Sequence, residues 1–507
     1  MLKYFNSKKI ISYNSAEKIF KKIKKNKKII LCHGVFDIVH PGHIRHFAHC
    51  KEKADILIVS VTKDIYIEKG KYRPFVPEKL RAFNLAALEF VDYVIIDKNK
   101  HPAKLLQKIK PSFFAKGMEY SDLKNPLTKN ENKIVESYGG KMIFSPGDFV
   151  MSSSKIINET EPNLKYEKLK LLMDTENIDF ADLKKILKKI ENTKIHIVGD
   201  TIIDTNHECE VIGGLHKTPT LSVVKKNSEN YLGGAAIVAS HFRTFSKHVN
   251  LTTVFSNDIM GKFAKKKINE LKIKLNLINE EGRPTTNKNS YLVNSHKLLK
   301  VDEVNNSPIL KTTLDSIKKI LTSDKSQIII FSDFRHGIFN NQSIDDLITS
   351  IKKGVFKAAD SQVASRWGNI TDFKNFDLIT PTEKEARYSL LEQDMPLRTL
   401  IGDLNRKSKA KNIILKLGEK GLIALSKNKK DYIVLDSFVS HLKDSNGAGD
   451  ALLAYAAATL FHTKSLIISS IIGTLAASCK CEIKGNRAIT IDLILKKIDD
   501  IENNYKF

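Results

Sequence analysis

At 507 residues the chain is too long for one ordinary hydrophobic core and has the length of two domains, or three. A hydrophobic fraction of 42% excludes a largely disordered protein. The formal charge of +26 comes mainly from lysines spread along the whole chain, with arginine sparse and no aromatic–basic interleaving. It is therefore read as a compositional bias that helps attract anionic substrates, with no nucleic acid as partner.

Residues 1–27 form a lysine-rich lead in which Ile19, Phe20 and Ile23 sit among basic residues, and the expectation is a solvated helix beside the first strand. Lysines interrupt the apolar residues there, unlike a signal peptide. Lys28–Cys32, Ala54–Val61, Val91–Ile96 and Lys141–Phe144 predict strands, with a helix from about Gly42 to Lys53 between the first two. Strands separated by helices imply a parallel sheet, here a domain over 28–160. Residues 161–192, rich in Lys, Leu, Glu and Asp, predict a helical connector.

A second α/β series fills 193–507, with strands at Lys194–Val198, Gln327–Phe331, Leu378–Ile379 and Asn412–Leu415. The stretch 209–232 reads as short alternating strands, a small β lid on the larger body. Ala451–Cys481 is the longest apolar region, but His462 to Lys464 interrupt it, so two buried helices are expected and no membrane span. The five cysteines lack zinc-type spacing and an extracellular disulfide pattern; Cys479 and Cys481, in an apolar helical stretch, are read as packing. The expected compartment is the cytoplasm.

Two segments carry chemistry. His33 to His43 (HGVFDIVHPGH) is a strand-to-helix junction, where open parallel sheets bind ligands. Gly34 allows close backbone approach, and the helix opening at Gly42 favours phosphate. His40 and His43 can both face that pocket and stabilise a pentacoordinate α-phosphate by donating hydrogen bonds. The second segment, Asp444 to Asp450 (DSNGAGD), places Gly447, Ala448 and Gly449 so that backbone amides crowd a transferring phosphoryl group. Asp450 begins the following helix and is positioned to take a proton from an acceptor hydroxyl.

Residues 28–160 resemble the nucleotidyltransferase superfamily, above all its glycerol-phosphate cytidylyltransferase and heptose-phosphate adenylyltransferase branch. The matches are the first segment itself, then Val61–Asp64, Arg73-Pro74, Glu78–Arg81, Ala87–Asp92, Lys116-Gly117 and Met151–Ile157 in order. The resemblance implies a Rossmann-like domain in which Gly34, Phe36, Asp37, Lys51 and Arg81 contact nucleotide or phosphate and Lys116 contacts substrate. Ser152, Ser153 and Ser154 are then β/γ-phosphate contacts, helix caps, or both. It also implies Mg²⁺ with a triphosphate, ATP or CTP.

Residues 178–507 resemble the ribokinase-like (PfkB) sugar kinases, through Gly199–Asp204, Tyr231–Ala236, Arg283–Lys288, Leu299–Asp302, Ser332–Gly337, Thr380–Glu385 and Lys416–Gly421. This implies a ribokinase-like α/β domain. Asp204, Gly233, Gly234 and Lys288 lie on the sugar side, Lys416, Gly418 and Gly421 on the nucleotide side, and Glu385 near the metal. Ile237 and Thr382 stand where the family has asparagines, which alters the sugar pocket. Residues 359–369, with Trp367, also depart from the family, either as a loop specialised for another substrate or as packing.

Together the halves resemble the bifunctional heptose-phosphate kinase/adenylyltransferases with the domain order reversed. That implies a sugar phosphate and nucleoside triphosphates as substrates, and a homodimer contact in the lid at Val211–Leu232. The alternatives are a cytidylyltransferase fused to a kinase for another polyol phosphate, and a sugar-phosphate-binding scaffold with a degenerate kinase half.

Overall fold

The computed structural model describes residues 8–23, 27–67, 73–117, 120, 125–145, 165–214, 221–294, 296–363, 368–427 and 431–505. Two compact units divide between Leu164 and Lys165.

The first unit holds six strands: β1 (Ile10–Ile11), β2 (Ile29–Gly34), β3 (Ile56–Thr62), β4 (Tyr93–Asp97), β5 (Phe113–Gly117) and β6 (Lys141–Ser145). They form one sheet in the order β1-β4-β3-β2-β5-β6, every neighbouring pair parallel. All seven residues of β3 are buried, as a central parallel strand covered on both faces requires. Apolar side chains divide between the two faces: Phe47, Val59 and Leu85 pack on one side, Leu31, Leu105 and Phe114 on the other. The lead contributes more than a solvated helix. Ile10 and Ile11 add an edge strand against Val94 and Ile95, and the helix Ala16–Ile23 buries Ala16 and Phe20.

In the second unit the strands are β7 (Ile195–Gly199), β8 (Thr201–Gly214), β9 (Leu221–Gly234), β10 (Val249–Val254), β11 (Lys274–Ile278), β12 (Thr286–Val293), β13 (His296–Glu303), β14 (Ile328–Asp333), β15 (Phe356–Ser361), β16 (Leu378–Ile379), β17 (Asn412–Lys416), β18 (Leu422–Ser426) and β19 (Ile433–Leu435). Nine of them make a sheet ordered β11-β10-β7-β14-β15-β16-β17-β18-β19, antiparallel only from β17 onward. The other four form a separate sheet, β13-β12-β8-β9. This is the lid, but it is larger than the sequence shows, because two long strands (β8, β9) join a second hairpin (β12, β13). Burial patterns in the lid follow neither a clean alternation nor a continuous run, and β13 is exposed throughout.

The residues read as a connector belong to the second unit. Helices Lys165–Thr175 and Phe180–Lys189 bury Leu169, Met173, Leu183 and Leu187 in its main core, and Lys168 bonds Asp436 at 2.9 Å. The long apolar region is a pair of helices, Ala448–Thr463 and Leu466–Cys481, almost entirely enclosed in that core. Among the described residues no helix is long and apolar enough to cross a membrane.

Candidate functional site

At the carboxyl end of β2 the chain turns into the helix Pro41–Lys53, whose N-cap is His40. His40 Nδ1 accepts a hydrogen bond from the Gly42 amide at 3.2 Å. In a neutral ring this places the proton on Nε2, leaving that N–H to donate outward. The His40 and His43 rings stack with centroids 3.8 Å apart, and His43 meets the Phe36 ring edge-on at 5.1 Å. Burial pushes the His40 imidazole down; burial and the neighbouring His40 and His46 push His43 down to about 3. Both rings are therefore neutral donors at pH 7, at a helix N-terminus that favours anions.

Other residues assigned to nucleotide contact here act mainly as a frame. A Cβ on Gly34 would lie 2.9 Å from the Phe36 ring, so glycine makes room for that ring, itself on a left-handed backbone (φ 50°). Asp37 is buried and accepts from the amides of Phe75 and Val76 at 3.1 and 2.8 Å. Arg81 is fully buried and donates to the carbonyls of Val76, Thr62 and Val35 and to Asp64. Its guanidinium joins the loop after β2 to the end of β3.

Arg81→Met is expected to destabilise the first unit by about 3 kcal/mol, since four acceptors lose a charged donor. Urea denaturation followed by a probe in that unit measures it.

Lys51 has partners of its own. It sits in the last turn of its helix, roughly 12 Å along the axis from His43 at about 1.5 Å per residue. There it binds Asp92 at 2.6 Å and the Asp55 carbonyl at 2.7 Å. Lys116 is engaged by Glu131 and Thr128, close enough to help depress His33. Ser152, Ser153 and Ser154 lie outside the described residues, as does Trp367.

In the second unit the helix Ala448–Thr463 starts at Gly447 in a left-handed conformation (φ 77°), with no side chain capping it. Its first-turn amides are thus presented to a ligand, apart from Ala448, whose N–H donates to Ser445 O at 3.2 Å. Glycine is needed at 447 because a Cβ would lie 2.2 Å from Asn486 Oδ1, and one on Gly449 would lie 3.0 Å from Lys416 Nζ. Asp450, in the first turn, is buried. Burial, then the charge of Asp360, pushes its carboxyl up to about 7; Asp204 adds to this, and Lys416 and Lys480 oppose it.

Around Asp450 the strand ends supply the remaining charges. Lys416, ending β17, bonds Asp360 of β15 at 2.7 Å. Burial works against the Lys416 charge, but Asp360, Glu385 and Asp450 outweigh it and raise its pKa. Asp360 Oδ1 is buried with no hydrogen-bond partner among the described residues. Burial raises Glu385, which closes a capping box with Thr382: the Thr382 amide donates to Glu385 at 2.6 Å, and the Glu385 amide donates to Thr382 Oγ1 at 3.2 Å. Thr382 is thereby explained as a cap. Gly418 has open space around it, whereas Gly421 (φ 83°) turns tightly with its Cβ position 2.0 Å from Leu435 O.

At the start of the lid, Asp204 of β8 is raised by burial and accepts from Asn486 Nδ2 at 3.3 Å. A Cβ on Gly233 would lie 2.4 Å from Asp204, and one on Gly234 2.1 Å from Asp200 O. The double glycine thus lets β9 pass over the strand bearing the carboxylate. Ile237 is buried in the next helix, 2% exposed. Lys288, opposite Asp204 across β12 and β8, lies 5.2 Å from the Phe334 ring, and burial lowers its pKa. Asp200 accepts from the amides of Phe334 and His336, which fixes that loop. Both nitrogens of His336 are buried without a partner among the described residues, and its ring feels Lys288 and Lys300.

Asp360, Lys480, Asn486 and His336 were not assigned from the sequence. Lys480 carried a signal, a lysine inside an apolar helix: it is fully buried, Nζ has no hydrogen-bond partner among the described residues, and burial lowers its pKa against the opposing charges of Asp444 and Asp450. Asn486 joins Asp204 to Leu232 O at 3.0 Å while pressing on Gly447, a convergence no local pattern encodes.

Known proteins agree with this division. The Cytidylyltransferase-like family matches residues 31–159. The chain is 35% identical over 120 residues to the bifunctional protein HldE of Geobacter metallireducens, covering 23% of this chain and 24% of that one. With HldE of Helicobacter pylori (strain ATCC 700392 / 26695) it is 43% identical over 108 residues, 21% of this chain and 23% of that one. The chain thus spans about a quarter of the length of the curated relatives it matches, within the nucleotidyltransferase half. Escherichia coli phosphofructokinase-2 in complex with substrates and products superposes with a TM-score of 0.51 at 14% identity, over 61% of this chain and 99% of that one, a likeness of fold. The pfkB family carbohydrate kinase description matches residues 192–492, more than half of the chain. By that match the chain belongs to the pfkB family of carbohydrate kinases.

Proposed function

We propose that the chain is a bifunctional enzyme of nucleotide-activated sugar synthesis. The second unit phosphorylates a sugar phosphate, of the heptose 7-phosphate kind, with ATP. The first unit transfers a nucleotidyl group from ATP or CTP to a sugar 1-phosphate. The observation that carries this reading is the buried Asp450 carboxylate at an uncapped helix N-terminus, ringed by Lys416, Asp360 and Asp204. Similarity to the bifunctional HldE proteins supports the pairing of activities.

In the kinase unit Asp450 takes the proton of the acceptor hydroxyl as its oxygen attacks the terminal phosphoryl group. First-turn amides and Lys416 receive the charge that develops there. Asp360, with an unpartnered buried oxygen, and Glu385 offer the hard oxygen donors that suit Mg²⁺. Held by these residues together with the nucleotide, Mg²⁺ would supply neutralisation of phosphate charge. Asp204 holds sugar hydroxyls, while Lys288 and the partnerless His336 receive the phosphate the acceptor already carries. In the first unit, His40 and His43 donate to the oxygens of the α-phosphate under attack.

Lys288→Met is expected to raise KM for the phosphorylated acceptor about 10- to 100-fold with kcat little changed, the loss of one charge-assisted contact. Steady-state kinetics on phosphorylated and unphosphorylated acceptors measures this; an equal fall for both places Lys288 elsewhere in the mechanism.

The lid leaves Val211, Ile212, Leu221, Val224, Leu299 and Val301 exposed, which supports self-association through this sheet. Sedimentation of the chain and of Ile212→Glu tests it.

The defining experiment incubates the protein with Mg²⁺, ATP or CTP, and a panel of sugar phosphates, with products identified by mass spectrometry. A bisphosphate plus ADP from heptose 7-phosphate, and ADP-heptose from heptose 1-phosphate, support the reading. A CDP-linked product moves the enzyme to another activated-sugar pathway, and no turnover with any acceptor refutes it.

A further inference from the structure

The cysteines show no zinc-type spacing along the chain, yet the fold of the first unit collects two of them around a histidine. Cys32 lies on β2, immediately before the junction that leads to His40. His46 and Cys50 are four residues apart on the helix Pro41–Lys53, hence on one face. Cys32 Sγ and Cys50 Sγ are 3.5 Å apart, Cys50 Sγ lies 4.0 Å from His46 Nε2, and the three atoms are all within 4.8 Å of one another. A tetrahedral zinc ion with bonds of about 2.3 Å to sulfur and about 2.0 Å to nitrogen sets its sulfurs about 3.8 Å apart and sulfur from nitrogen about 3.5 Å. The observed edges bracket those values.

The imidazole is also oriented as a ligand. Its Nδ1 lies 2.7 Å from Ser145 Oγ at the end of β6. With Nδ1–H donating to that hydroxyl, the Nε2 lone pair faces the two sulfurs, the arrangement that a ligating histidine normally has. Packing explains two buried cysteines in a core; the imidazole turned toward them, within hydrogen-bond range of Cys50 Sγ, adds the nitrogen donor that a metal site needs. A disulfide explains the cysteines alone and requires the sulfurs to close to about 2.0 Å.

We propose that Cys32, His46 and Cys50 bind a thiophilic divalent metal, a zinc ion, as three protein ligands of a four-coordinate site. Binding replaces the two S–H protons, released to solvent, with two metal–sulfur bonds, and the neutral His46 Nε2 gives its lone pair. The ion joins β2 to the helix that carries His40 and His43, and so holds that pair in place.

The test reconstitutes the full chain with Zn²⁺ under reducing, anaerobic conditions, removes loose metal, and counts bound zinc by elemental analysis. Co²⁺ serves as a parallel probe, because thiolate ligation gives sulfur-to-metal charge-transfer absorption. One equivalent of zinc and that absorption are expected, both retained by Cys209→Ser and lost in Cys50→Ser and His46→Asn. His46→Asn keeps both core thiols, so it decides the matter if Cys50→Ser fails to fold. Ser145→Ala is expected to weaken metal affinity roughly 10- to 100-fold by freeing the ring. Less than stoichiometric zinc in the wild type, undiminished zinc in His46→Asn, or a Cys32–Cys50 disulfide formed in preference to metal binding would overturn the proposal.

Discussion

Asp450→Asn is expected to lower phosphoryl transfer by roughly 10²- to 10⁴-fold, the span of a lost general base, while nucleotidyl transfer by the same preparation is unchanged. The substitution preserves shape and keeps a polar group in a buried site, so folding is spared and the effect reads as chemistry. Wild-type kinase activity should also fall as pH drops through about 7. Burial, with Asp360 and Asp204 nearby, raises the Asp450 carboxyl to about 7, and a base acts only when deprotonated, so its protonation at lower pH removes activity. A pH profile of kcat/KM in the free enzyme reads this limb. The Asn variant should lose that limb along with the rate. If phosphorylation persists near the wild-type rate, Asp450 is not the base.

His43→Ala is expected to do the reverse, lowering nucleotidyl transfer by about 10²- to 10³-fold, as removal of one preorganised donor to a developing anion does. Kinase turnover should stay within twofold, roughly the noise of such comparisons. The stacking of His43 on His40 at 3.8 Å and its edge contact with Phe36 mean that alanine also loosens the ring cluster. His43→Gln fills more of that space and retains a donor, so partial rescue by Gln separates hydrogen bonding from packing. Loss of both activities in His43→Ala would instead point to misfolding or coupling between the units.

Sequence and structure agree best where chemistry is written in consecutive residues. The His40 and His43 pair, the glycines before Asp450 and the strand ends that carry them were all legible, because each needs only a strand, a turn and a helix start within a short stretch. Lys51 and Arg81 were less legible for one reason: a basic residue in a lysine-rich chain looks the same whether it meets phosphate or a carboxylate. Their partners, Asp92 for Lys51 and Asp64 with three carbonyls for Arg81, are set by packing between distant segments. Ile237 and Thr382 looked like damage to the kinase site. The first is core and the second caps a helix together with Glu385, so neither by itself removes the Asp450 constellation.

From the amino-acid order alone came the two α/β units, the parallel strands, the two buried helices near the C-terminus and the placement of His40, His43 and Asp450 at helix starts. Hydrophobic period and glycine placement encode these locally, since backbone geometry repeats over a few residues. Only tertiary structure drew the helices of 165–189 into the second core and paired the lid hairpin with β12 and β13. It also brought Asn486 between Asp204 and Gly447, and Cys32 beside His46 and Cys50. These are contacts between residues far apart in the chain, fixed by how whole faces pack and by buried polar groups finding partners, and no local pattern carries that information.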